Sequence, residues 1–336
     1  HGIGDGTRQR HQSHESGQMR TLTTIVLTSI VTTLLLAALS AGAFVYIVDG
    51  YFVDLALERG SGGDPLAPPV IAASLSDPNV HLPEKPEAKS EDWTLRSFDG
   101  LRLAATHFSP AAPSHRWVVL LHGYGRSQAD AWDYAEAYIE HGYHVLTPDL
   151  RASGKSEGKY VTMGTFESRD VAAWVSRIAE VDPAARVVLH GVSMGGATAL
   201  LAAGRDDVPQ NLVAVIEDSG YTSAEDMFVR KMESFNLPAS VIMRGMDYMS
   251  RKKTGAALSD ASALDAVRRM KAPTLFIHGT SDLLVPYSMM QELAAASSAP
   301  QKEVLTVEGA WHAAAKAKDP ENYYRHVFAF ADRWTN

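Results

Sequence analysis

The sequence predicts an α/β fold: a mostly parallel central sheet covered by helices on both faces. Three observations carry that prediction. From about residue 92 onward, short segments that are apolar throughout alternate with amphipathic helical segments, the pattern of strands buried on both faces. One of those segments, Arg186–Gly191, runs through Val192-Ser193 directly into "MGGATALLAAG", a strand–turn–helix junction. Finally, the polar residues suited to chemistry follow the apolar segments, where ligands bind in open parallel sheets.

The elements can be justified in chain order. Residues 1–18, with His11 and His14, lack an initial Met and read as an added leader, leaving Met19 as the expected start. Leu22–Val48 carries no charge and exceeds the roughly 20 residues that cross a bilayer core. Residues 19–48 are therefore expected to be a transmembrane anchor. Arg20 lies before the run, and Asp49, Asp54 and Glu58 after it, which points to a single-pass protein in the cell membrane with its remainder extracytoplasmic. A signal peptide cleaved near Ala41-Gly42-Ala43, giving a secreted protein, is the rival; a buried core helix is the other. Residues 49–91, rich in Pro and Gly from Gly60 on, read as a linker.

"DWTLRSFDGLRLAATHF" alternates around Asp99-Gly100, a hairpin signal. "RWVVLLHG" and "YHVLTPDL" are strands flanking a helix over "QADAWDYAEAYIEHG". Val171, Trp174, Val175 and Ile178 mark one helical face. "ARVVLHG", "NLVAVIEDSG", "APTLFIHG" and "KEVLTVEG" are four further strands of the buried type, and "NYYRHVFAFADRW" is a closing helix.

Composition removes several function classes. The 336 residues are 46% hydrophobic with a net charge of −8, and no basic cluster suits a nucleic-acid backbone. There is no cysteine, so disulfides, thiolate metal sites and cysteine nucleophiles are excluded. No cofactor and no metal are expected.

Two G-x-S-x-G matches occur, at Gly191–Gly195 and Gly154–Gly158. A nucleophilic serine needs a strand before it and a helix after it, so that the turn pushes the hydroxyl out of the sheet. Ser193 has both; Ser156 sits in the polar stretch "RASGKSEGKY" with neither. A serine hydroxyl needs a base, and the base an orienting carboxylate. Asp282 follows the strand "PTLFIH" and His312 follows "KEVLTVE", so all three can converge on one rim. Asp218, after "NLVAVIE", is the rival acid. His122, His190 and His278 each end a strand before Gly and read as structural. The oxyanion donors expected are the backbone N–H groups of Met194 and of Tyr124 in "HGYG".

"HGYG", "GVSMGG", "HGTSDLLVP" and "GAWH", in that order, resemble the α/β-hydrolase superfamily over about residues 92–335. The closer similarity is to bacterial membrane-anchored or exported serine hydrolases of the esterase and monoacylglycerol-lipase-like kind. The resemblance implies the α/β-hydrolase fold for residues 92–336, an acyl-enzyme mechanism without metal, and a helical cap inserted after the sixth core strand, at about 221–271. Relatives that hydrolyse haloalkanes or epoxides need a carboxylate where Ser193 stands. Six of 11 methionines fall in that range, five of them (Met227, Met232, Met243, Met246 and Met249) within residues 227–249 and the sixth at Met270. They suit either an adaptable apolar pocket wall or plain burial of the cap. The expectation is ester hydrolysis of small-molecule or lipid-like acyl or aromatic substrates. A peptidase or amidase, an acyltransferase, and a non-catalytic surface-binding domain are the alternatives.

Overall fold

Strands made of Val, Leu and Ile on both faces cannot remain at a surface, and here they form the middle of an eight-stranded sheet. The computed structural model describes residues 5–60 and 83–336, in two compact units, His1–Gly50 and Tyr51–Asn336. The first unit is helical: it holds most of α1 (Asp5–Leu57). From Leu22 that helix is long and apolar enough to cross a membrane, with a mean hydropathy of 2.2 in its most apolar window and none of that window buried.

In the second unit the strands are β1 (Ser90–Arg96), β2 (Arg102–Phe108), β3 (Arg116–Leu121), β4 (His144–Pro148), β5 (Arg186–Val192), β6 (Leu212–Asp218), β7 (Thr274–Gly279) and β8 (Lys302–Val307). Their order is β1-β2-β4-β3-β5-β6-β7-β8. β2 is antiparallel to both β1 and β4, and every later pair is parallel. The β1–β2 turn closes at Gly100, whose φ of 89° a side chain would resist. β8 departs from the uniformly buried pattern expected of it. As an edge strand it alternates, with Leu305 and Val307 inside and Val304 outside.

The remaining helices are α2 (Gln128–Glu140), α3 (Thr165–Val181), α4 (Met194–Ala203), α5 (Ala224–Ser234), α6 (Ala239–Thr254), α7 (Ala263–Val267), α8 (Tyr287–Ala296), α9 (Ala315–Lys318) and α10 (Pro320–Thr335). Two cores result, one on each face of the sheet. Tyr138 of α2 and Tyr323, Val327 and Phe330 of α10 pack with Val118, Val188 and Ile277. Trp174 of α3, Leu200 of α4 and Met289 of α8 pack with Val119, Leu189 and Phe276. Alternate residues of the same strands feed the two clusters, as the period of two requires.

α5, α6 and α7 form the insertion between β6 and β7. Its six methionines, Met270 included, are all buried within the second of those cores.

The proposed linker differs in extent from what its composition suggested. The helix continues through Leu57, because Val53, Ala56 and Leu57 recur at helical spacing and are buried in the domain core. At the other end, β1 already includes Ser90 and Glu91. The intervening residues 61–82 lie outside the described residues.

Candidate active site

The carboxyl ends of β5, β7 and β8 meet on one rim, and the loops leaving them carry the polar groups. Ser193 is the single residue between β5 and α4. Its φ of 57° and ψ of −121° are sparsely populated for any residue with a Cβ. The turn is held from both sides: Ser193 N donates to Asp218 O at 2.8 Å, and Ala197 N donates to Ser193 O at 3.1 Å. Only glycine allows so sharp a junction. A Cβ on Gly191 would lie 2.0 Å from Gly195 O, and one on Gly195 would lie 2.2 Å from Leu121 O.

His312 stands in the loop after β8. Its Nε2 is 2.8 Å from Ser193 Oγ, and its Nδ1 is 2.8 Å from Asp282 Oδ2. Asp282, in the loop after β7, has a fully buried side chain. Burial alone would raise its carboxyl, but hydrogen bonds from His278 and His312, with backbone N–H support from Val285, hold it down at about 2. The carboxylate is thus ionised at every pH at which the chain would work.

Three residues far apart in sequence, Ser193, His312 and Asp282, are therefore joined in one hydrogen-bonded line. The loop after β3 lies beside them. A Cβ built on Gly123 would be 3.4 Å from Ser193 Cβ and 3.9 Å from its Oγ, which places the neighbouring Tyr124 at the same rim. Met194 is the first residue of α4, where N–H groups have no intrahelical acceptor and the helix dipole favours negative charge.

The rival groups are occupied elsewhere. Asp218 accepts from Ser219 Oγ at 2.7 Å and from Tyr323 OH at 2.8 Å. Ser219 Oγ in turn accepts from Ala313 N at 3.3 Å, so Asp218 braces the loop that carries His312. Ser156 is buried, donating to Asp149 O at 2.6 Å and accepting from Ala104 N at 2.9 Å. His122 Nε2 accepts from Leu150 N at 3.0 Å. His190 sits between the hydroxyls of Tyr138 and Tyr323, and burial, with the Lys316 charge, pushes it down to about 3.

His278 is different, and sequence reasoning missed it. Its Nε2 lies 2.9 Å from Val285 O and 3.1 Å from Asp282 Oδ2, so a second imidazole supports the carboxylate from behind. The four-residue separation of His278 and Asp282 across a loop was the only available signal.

Residues 118–324, more than half the chain, match the model of the alpha/beta hydrolase family. This chain belongs to that family. The hydrolase is 25% identical over 242 residues to the uncharacterized protein YqkD of Bacillus subtilis, covering 71% of this chain and 78% of that one. It is 26% identical over 262 residues to the uncharacterized protein YfhR of Escherichia coli, covering 76% and 80% of the two chains. Among solved structures, the Pyrococcus furiosus esterase Pf2001 superposes with a TM-score of 0.62 at 24% identity, over 76% of this chain and 98% of that one. At that identity the likeness is one of fold.

Proposed function

We propose that this alpha/beta hydrolase is a serine esterase that cleaves carboxylic esters through an acyl-enzyme, anchored in the membrane by its N-terminal helix. The observation that carries the reading is the line from Asp282 through His312 to Ser193, with both contacts at 2.8 Å. Ser193 Oγ attacks the ester carbonyl carbon while His312 Nε2 takes its proton. The resulting imidazolium is stabilised by the Asp282 carboxylate. Backbone N–H groups of Met194 and Tyr124 receive the developing oxyanion. The bond to the leaving alkoxide then breaks as His312 returns the proton to that oxygen. Water, deprotonated by His312, attacks the acyl carbon, and the acid leaves as Ser193 recovers its proton.

Ester rather than peptide chemistry is supported by the surroundings. Leu283 and Trp311, next to Asp282 and His312, are 75% and 55% exposed, offering apolar surface at the rim to acyl or aromatic groups. A peptidase would need acidic side chains to hold a substrate amino group. Asp226, one candidate in the insertion, instead accepts from Thr222 Oγ1 at 2.7 Å at the start of α5. That the Pyrococcus neighbour is an esterase agrees with this reading. For the anchor, the support is a helix whose most apolar stretch is uncharged and has none of its residues buried.

The test is turnover of nitrophenyl esters from acetyl to palmitoyl, with Ser193→Ala in parallel and a fluorophosphonate probe on both. Wild-type turnover and labelling are expected, with both lost in the variant, since removing a triad serine can lower kcat by about 10⁶. Labelling that persists in Ser193→Ala would overturn the assignment.

A further inference from the structure

The last turns of α1 do more than end a helix. Val53, Ala56 and Leu57 are buried in the same core as Met243, Met246 and Met249 of α6, and Tyr124 and Tyr160 pack against that core. Polar contacts then tie this short segment to three places that are remote in sequence. Tyr124 OH donates to Ala56 O at 2.5 Å, reaching the loop after β3. Lys253 Nζ of α6 and Tyr160 OH donate to the two oxygens of Asp54, at 2.5 Å and 2.9 Å. Val161 N donates to Leu57 O at 2.8 Å, and Arg59 N to Lys159 O at 2.8 Å. The Arg59 guanidinium donates to Ser156 O at 2.7 Å and Gly154 O at 2.5 Å.

A connector whose only task was reach would be expected to stay solvated. This one has its apolar face buried and its carbonyls and charged side chains engaged. We infer that residues 51–59 are a strut of the active site, fixing the Tyr124 loop relative to α6. Tyr124 is bound through its hydroxyl to the strut, while its backbone is the expected oxyanion donor. Tyr124 OH and Asp54 are thus positioning groups, acting on the reaction through the placement of the Tyr124 N–H. The inference rests on the serine-esterase reading, because an oxyanion donor matters only if acyl chemistry takes place at Ser193.

The reason to expect a kinetic effect is geometric. Loss of one oxyanion donor costs about 10²–10³ in rate, and misplacement by about 1 Å can cost about 10². Tyr124→Phe keeps the ring and the backbone N–H and removes the hydroxyl that bonds Ala56 O. The experiment uses the full chain in detergent micelles and measures kcat and KM for nitrophenyl acetate, fluorophosphonate labelling of Ser193, and melting temperature. Tyr124→Phe is expected to lower kcat about tenfold with KM within about twofold, and Asp54→Asn to lower kcat in the same sense. A variant that melts lower but keeps wild-type kcat in its folded range has lost only a structural bond, and that result overturns the strut. Wild-type protein that neither turns over nor labels instead removes the esterase reading on which the strut depends. A protease site inserted within residues 61–82 supplies an independent check. After cleavage in proteoliposomes the catalytic fragment should sediment with the vesicles, held by the strut. Its release into the supernatant would overturn the inference.

Discussion

Replacing Ser193 by Gly and by Ala should give two inactive proteins of different stability, with the glycine variant the more stable. Ser193 holds φ 57° and ψ −121°, a conformation that costs a residue with a Cβ about 1–3 kcal/mol and glycine little. Both variants lose the hydroxyl and its 2.8 Å contact with His312, so that term cancels between them. Glycine gives back about 0.5–1 kcal/mol through the greater freedom of its unfolded chain. It also loses the van der Waals contacts of one methyl carbon, only a few tenths of a kcal/mol. The balance is about 1 kcal/mol in favour of glycine, or about 2–4 °C in melting temperature for a unit of this size. Thermal unfolding of both full-length variants in one detergent measures it. An alanine variant melting at or above the glycine variant would refute the idea that strain is stored at this turn.

Three further outcomes follow from the same geometry. Burial raises the Glu217 carboxyl to about 7 from an ordinary 4.5, so between those values the folded chain keeps a proton that the unfolded chain has released. Stability from this group is therefore full below about pH 4.5 and declines by about 3 kcal/mol as pH rises through 7; Glu217→Gln should flatten that part of the unfolding profile, and an unchanged profile would show that Glu217 does not titrate there. His278→Leu removes a donor from Asp282 and should lower kcat about tenfold, moving the acid limb of kcat/KM to higher pH; His278→Gln, which can replace Nε2–H, should restore most of it, and a pH–rate profile decides. Since the chain has no cysteine, Glu84→Cys at an exposed position should react with a membrane-impermeant maleimide on intact cells; labelling only after permeabilisation would place the catalytic unit inside.

What the sequence determined by itself was whatever is written locally. Apolar runs without a polar face require strands covered on both sides, and β3, β5, β6 and β7 are so covered. The flanks of Ser193 and Ser156 differ within ten residues, and that difference alone separated a strand–turn–helix junction from a buried polar loop. Tertiary structure decided the rest. Periodicity tells which side chains are buried but not what they are buried against. It left Asp218 and Asp282 as rivals, although one accepts from Tyr323 and the other bonds His312. It also read His278 as an ordinary strand end. Asp54, 199 residues before Lys253 in the chain, looked like part of a linker because both its partners, Tyr160 and Lys253, lie far along the chain. Such contacts depend on how the chain crosses over between strands, and only the folded chain brings those elements together.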